Sequence, residues 1–174
     1  NTSGGTLTVG QVVYISGVSG SNPTVALANA NDSAKMPAYG LVSADAINTA
    51  EVEIITFGTL IDTKTDYTGW ALGDTLYVST TSGELTNAAP AGESSLIQNL
   101  GRIRRLHQSA GSITVGGAGR TNATPNLNNG NVFIGDATNH SVARALVVSD
   151  TTGLQSALDG KVDDSQVLTN VPSG

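Results

Sequence analysis

Apolar and polar residues alternate in short runs along most of this chain. Val12 and Tyr14 lie two apart, as do Leu76 and Val78, and Val52 and Ile54 repeat the spacing further on. That period puts one face of a strand against a core. Between the runs stand Gly17, Gly20-Ser21-Asn22-Pro23, Gly69, Thr81-Ser82-Gly83 and Pro90-Ala91-Gly92, residues that break helices and supply turns. Short strands at this turn density predict a mainly β fold, a sandwich or a barrel.

The pattern is written twice. Gly10-Gln-Val-Val-Tyr14-Ile-Ser16 with Ser19-Gly20 matches Gly73-Asp-Thr-Leu-Tyr77-Val-Ser79 with Ser82-Gly83 at one constant offset. The register then slips by two residues, as a loop insertion would make it, and pairs Met36 with Ile97, Tyr39 with Leu100, Gly40 with Gly101, Val42 with Ile103, Val52 with Ile113, Ile54 with Val115 and Gly58 with Gly119. Each copy is about sixty residues, longer than the ~20–50 of solenoid and propeller units. Two copies, about residues 8–58 and 71–119, therefore predict one pseudo-duplicated β domain over 1–119. Its size suffices for a core of its own.

After it the pattern changes. Residues 120–131 are dominated by Asn, Thr, Gly and Pro without periodicity, which reads as a linker. From 132 to 174 the sequence predicts extended strands and a short helix leading to a further domain. Asn131-Val-Phe-Ile-Gly-Asp136 reads as a brief strand, and 142–148 as a second strand or an extended wrapping segment. Ser149-Asp150-Thr151-Thr152 offers N-cap residues ahead of a helix in which Leu154, Ala157 and Leu158 share a face, with Gly160 at its end. So short a helix falls below the ~12–15 residues at which isolated helices become marginal, and needs something to dock on.

Composition narrows the class. Of 174 residues 39% are hydrophobic but only 4% aromatic and 13% charged, with net charge −6. The charged share is about half the ~25% of an average domain, so Ser, Thr and Asn carry the polar surface, as suits extracellular or particle-bound proteins. No window approaches the ~18 apolar residues of a membrane span, and no signal-like segment opens the chain. With no cysteine, disulfides are excluded. The start at Asn1 and the stop after Val171-Pro-Ser-Gly174 read as a segment of a longer polypeptide.

Two stretches carry a resemblance. Gly130-Asn-Val-Phe-Ile-Gly-Asp-Ala-Thr-Asn, followed by Leu154-Gln-Ser-Ala-Leu-Asp-Gly-Lys-Val and Leu168-Thr-Asn-Val-Pro-Ser-Gly, resembles the connecting segments of tailed-bacteriophage fibre and virion structural proteins, which are typically homotrimers. Gly73-Asp-Thr-Leu-Tyr-Val-Ser, Gly83-Glu-Leu-Thr and Gly101-Arg-Ile are similar in cadence to capsid-decoration modules, although Arg102, Arg104 and Arg105 depart from the apolar run usual there. The resemblance implies a structural, non-enzymatic part of a phage particle, on the virion surface. No catalytic residue, cofactor or metal comes with it. Three chains are expected to bury Val142, Leu146, Val147, Leu154, Leu158 and Val162 against one another. The expected partners are the chain itself, other virion proteins and a host surface receptor or glycan, with neither nucleic acid nor membrane insertion. A capsid-decoration protein, a receptor-binding module and a depolymerase are the alternatives.

Candidate chemistry is sparse. His107 and His140 are the only histidines, and no G-x-S-x-G elbow accompanies the abundant serines. Asp62, Asp66 and Asp74 crowd the connection between the copies and offer a carboxylate pair or a cation site, without EF-hand spacing. Gly116-Gly-Ala-Gly119-Arg120 resembles a phosphate loop but leads into Pro125 instead of a helix, and so reads as a domain exit. Arg102, Arg104 and Arg105 concentrate basic charge, and a strand puts Arg102 and Arg104 on one face. They read as a solvated face or as a contact with an acidic neighbouring chain, because nucleic acid would need a wider basic field with aromatic platforms. Tyr67 and Trp70 form the one aromatic cluster, read as core or subunit contact before sugar stacking. The sequons at Asn31, Asn122 and Asn139 carry no weight without a secretory route.

Overall fold

The computed structural model describes residues 1–92, 95–116, 124–125, 127–137 and 141–161. Val162, His140, Asn122, Asn139, the 117–120 part of the glycine-rich run and the 163–174 segment lie outside the described residues. The chain is mainly β, 39% strand and 8% helical, in antiparallel sheets with a half-barrel curl. It divides into two compact units, Asn1–Asn126 and Leu127–Gly174.

In the first unit β1 (Val12–Ser19) turns back at Gly20 into β2 (Asn22–Leu27), and β3 (Gly40–Val42) and β4 (Ile54–Ile55) extend this sheet in the order β2-β1-β3-β4. Gly17 was expected in a turn but lies inside β1, at a register shift against β2. A bulge absorbs the extra residue there, and the hairpin closes later. A second sheet, ordered β5-β10-β9-β6-β7, contains β5 (Gly58–Thr63), β6 (Thr75–Val78), β7 (Leu85–Thr86), β9 (Asn99–Arg105) and β10 (Gly111–Val115). The short β8 (Leu96–Ile97) pairs with β11 (Thr124–Pro125).

The two sheets run in step. Val12 and Val13 face Leu41 and Gly40 across β1 and β3, and Thr75 and Leu76 face Arg102 and Gly101 across β6 and β9. The turn before each leading strand is also bonded alike. Gly10 N–H donates to Val42 C=O and Val42 N–H to Gln11 C=O, both at 2.9 Å; Gly73 donates to Ile103 at 2.9 Å and Ile103 to Asp74 at 3.0 Å. The Gln11 and Asp74 side chains then accept from Thr8 and Ala71 N–H, each at 2.9 Å. Gly10 and Gly73 both hold positive φ, 89° and 83°, which only glycine adopts without strain. Gly40 and Gly101 answer a different need, since a Cβ at Gly40 would lie 2.6 Å from Ile55 O and one at Gly101 2.0 Å from Thr114 O.

The fourth strand departs from the sequence alignment. Leu41 faces Ile55, whereas Arg102 faces Thr114, so Ile54 corresponds to Ile113 and not to Val115. Val52 lies before β4. The loop from Val42 to Ile54 is two residues longer than the one from Ile103 to Ile113 and absorbs the difference.

Both sheets close on one core. Val12 and Leu41 of the first meet Leu60, Leu76, Val78, Leu100, Ile103, Ile113 and Val115 of the second. Val13, next to Val12 and so on the opposite face, joins Leu7, Val25 and Val42 in a second cluster. The segment after β2 stitches the sheets by backbone bonds: Gly83 N–H donates to Ala28 O at 2.8 Å, Ala30 to Ser79 at 2.9 Å and Leu96 to Ala30 at 2.8 Å. Gln98, 1% exposed, donates from Nε2 to Ala38 C=O at 2.9 Å and accepts from Ala38 N–H at 2.7 Å.

The second unit is a hairpin of β12 (Asn131–Gly135) and β13 (Ser141–Ala145), then a 3-10 turn Val148–Asp150 and the helix α1 (Leu154–Asp159). The expected Ser, Asp or Thr cap is absent. Gly153 is the N-cap, with φ 80° and no side-chain bond. Asp150 is engaged elsewhere: its carboxylate pairs with both Arg144 terminal nitrogens and accepts from Val147 N–H at 2.9 Å. No described residue from 127 to 161 is buried.

Two outcomes follow from these contacts. Gln98→Ala orphans a buried N–H and a buried C=O at about 1–3 kcal/mol each, so urea unfolding is expected to show a loss of about 3 kcal/mol, against none for exposed Gln108→Ala; equal stabilities would remove the clamp from the account. The Arg144 guanidinium, seconded by Val147 N–H, lowers the Asp150 pKa to about 2. Because the folded value lies below the unfolded one, the stability from this pair is complete above about pH 4 and drains as pH falls towards about 2. Carboxyl NMR titration should place Asp150 near that value in the native chain and return it to the ordinary range in Arg144→Gln.

Candidate functional site

The five predicted interface residues of the second unit that are described are each at least one-third exposed. Val142 is 38% accessible, Leu146 59%, Val147 50%, Leu154 37% and Leu158 49%, joined by Phe133 at 42% and Val148 at 39%. Side chains of this type are normally among the most buried. The hairpin registers Phe133 opposite Ala143 and Ile134 opposite Val142, so its apolar residues alternate across two uncovered faces. A two-stranded hairpin and a six-residue helix are each marginal alone.

On the first unit, β9 buries Leu100, Gly101 and Ile103 and exposes Arg102 and Arg104, the register against β6 slipping at Leu100 so that neighbouring Leu100 and Gly101 are both covered. Arg102 stands in a row Thr75, Arg102, Thr114, Thr59 across four strands, and Arg104 Nη1 reaches Thr59 Oγ1 at 3.4 Å. Arg105 follows at a register shift against β10 and is also exposed. The ion pairs among the described residues are Lys35–Asp32 and Arg144–Asp150. None involves these three arginines, which leaves a Thr and Arg face able to take acidic groups.

Asp62 and Asp74 are not assembled into one site. Asp62 is on β5 and Asp74 immediately precedes β6, with β10 and β9 between, so roughly 14 Å of strand spacing separates them. That exceeds the ~5–9.5 Å between the carboxyls of a glycoside-hydrolysing pair. Asp74 fastens its turn instead; the Asn87 amide at 2.9 Å and then Ala71 N–H hold its carboxyl below the usual range. No group of three potential metal ligands occurs among the described residues. His107 Nδ1 closes the turn before β10, accepting from Ser109 and Ala110 N–H at 3.1 and 2.9 Å. No helix of the described residues is long and apolar enough to cross a membrane.

The aromatic pair divides its roles. Trp70 packs on the main core, while Tyr67 is 48% exposed and lies 4.6 Å from the Trp70 ring centre at 52°. Lys64 Nζ rests 4.9 Å over the Tyr67 ring. Burial first, then the charges of Glu84 and Asp66, raise the Tyr67 hydroxyl above its ordinary pKa. Lys64 and Glu84 went unnoticed in the sequence, since nothing in their local pattern announces a meeting of two loops. No family model, no curated protein and no solved structure matches this chain.

Proposed function

We propose that this chain is a structural, non-enzymatic component of a bacteriophage particle, a segment of a homotrimeric fibre used in assembly and host attachment. The observation that carries this reading is the second unit, where eight large apolar side chains stand 37–59% exposed and no described residue is buried. Covering what remains exposed of each is worth about 1 kcal/mol, which a lone chain forgoes and a rotationally symmetric assembly recovers at every protomer. Three copies of α1 and its preceding hairpin supply one another's missing core. The resemblance of this stretch to phage fibre connectors points the same way.

The first unit is then a rigid module built by duplication of one motif of about sixty residues. The common strand order, the common register of β1 on β3 and of β6 on β9, and the paired turn bonds of Gln11 and Asp74 support this descent. Its exposed arginines, on a chain of net charge −6, suit a contact with an acidic neighbouring subunit.

Light scattering across a dilution series is expected to give three times the chain mass. Leu154→Asp with Leu158→Asp should bring it to that of one chain without changing the β-sheet circular dichroism. A wild-type monomer at every concentration, or a trimer indifferent to both substitutions, would defeat the fibre reading.

A further inference from the structure

We propose that the cleft beside Tyr67 and Trp70 is a carbohydrate-binding site that seats one neutral pyranose ring. The cleft has a volume of about 220 Å³ and is lined by Gln11, Thr63, Lys64, Tyr67, Trp70 and Glu84, among others. Sites for drug-sized ligands run to about 300–1,000 Å³, so this one suits a single small ring. It lies wholly within the first unit and does not depend on the trimer.

Its polar groups are of both kinds and are unspent. The Glu84 carboxylate has no hydrogen-bond or ion-pair partner among the described residues, and Lys64 makes only its contact over the tyrosine ring. Gln11 accepts from Thr8 N–H through Oε1, which leaves its Nε2 to donate. An acid, an ammonium and an amide around one opening match a ligand that donates and accepts at neighbouring atoms without net charge. A polyhydroxylated ring does this, Glu84 accepting from two adjacent hydroxyls while Lys64 and Gln11 donate to ring or hydroxyl oxygens. The half-exposed Tyr67, steadied by Trp70, offers the apolar surface for the C–H face of the ring. The exposed Lys64 swings off the tyrosine to admit it.

The fold itself does not require these side chains, a comparison that rests on the duplication proposed above. At the offset that equates Gly10 with Gly73, Tyr67 corresponds to Gly4, Trp70 to Leu7, Lys64 to Asn1 and Glu84 to Ser21. Leu7 is fully buried and Gly4 has open space around it. One copy thus builds its turn with an aliphatic plug and a glycine, while the other adds two aromatic rings and two opposite charges at a single opening.

Trp70 is the chain's one tryptophan, so its fluorescence reports directly on the cleft. The full chain is titrated with methyl glycosides of glucose, galactose and mannose, with N-acetylglucosamine, and with tetramethylammonium chloride as a cation probe, alongside saturation-transfer NMR. At least one sugar is expected to bind with a dissociation constant on the order of millimolar, as fits a ligand of about a dozen heavy atoms. Tyr67→Gly should abolish this and Glu84→Ser weaken it at least tenfold, both chains still melting cooperatively. Silence of every sugar at about 50 mM, binding that survives both substitutions, or a response to tetramethylammonium alone would overturn the assignment. Loss of cooperative melting in both variants would count against the duplication, with the wild-type titration still deciding the site.

Discussion

The amide of Gln98 is where two small sheets become one domain. Both sheets are small, β4 and β7 being two residues long, and the chain between β2 and β3 dips into the core at Ala28, Ala30 and Ala38 while Asn31, Ser33, Ala34 and Pro37 stay exposed. A buried backbone segment is tolerable only if its N–H and C=O groups find partners. Ala28 finds its partners on Val12 C=O and Gly83 N–H, Ala30 on Ser79 C=O and Leu96 N–H, and Ala38 finds both on the one side chain of Gln98. Small residues at 28, 30 and 38, all fully buried, let the backbone come close enough for this. No buried side-chain nitrogen or oxygen among the described residues is left without a partner.

Much of this arrangement is legible in the sequence because glycine leaves a mark. The template through Gly10 and Gly73 is visible since a positive φ admits little else, and Gly40 and Gly101 match because a neighbouring strand occupies the space of any side chain. Where the constraint is only apolarity the reading fails. Ile54 pairs as well with Ile113 as with Val115 on paper, and the length of the preceding loop decides between them. Gln98 looks like any polar residue between two strands; its significance comes from a carbonyl sixty residues away.

The same limit governs the sites. The period of two puts Arg102 and Arg104 on one face of β9 without further information. Asp150 reads as a helix cap, yet a charge-assisted bond to Arg144 is stronger than a neutral one to a backbone N–H, so the pair takes the carboxylate and Gly153 begins the helix uncapped. Lys64 and Glu84 are twenty residues apart, and only the loop closure brought about by β6 and β7 sets them at one opening.

The edges of the first unit limit how it meets another chain. A free strand edge invites pairing unless it is short, bulged or interrupted by proline. The first sheet ends in β2, which contains Pro23, and in the two-residue β4; the second ends in the two-residue β7 and in β5, where Asp62 holds φ 53° beside a register shift. All four edges are thus poor templates for strand addition. The second unit is built the opposite way, with apolar side chains left uncovered on a hairpin and a helix too short to stand alone. Strand addition is thereby disfavoured along the sheet edges of the first unit, whereas the second unit leaves its contact potential in exposed apolar side chains, where any association must depend on the shape of side-chain packing and not on a bare row of backbone N–H and C=O groups.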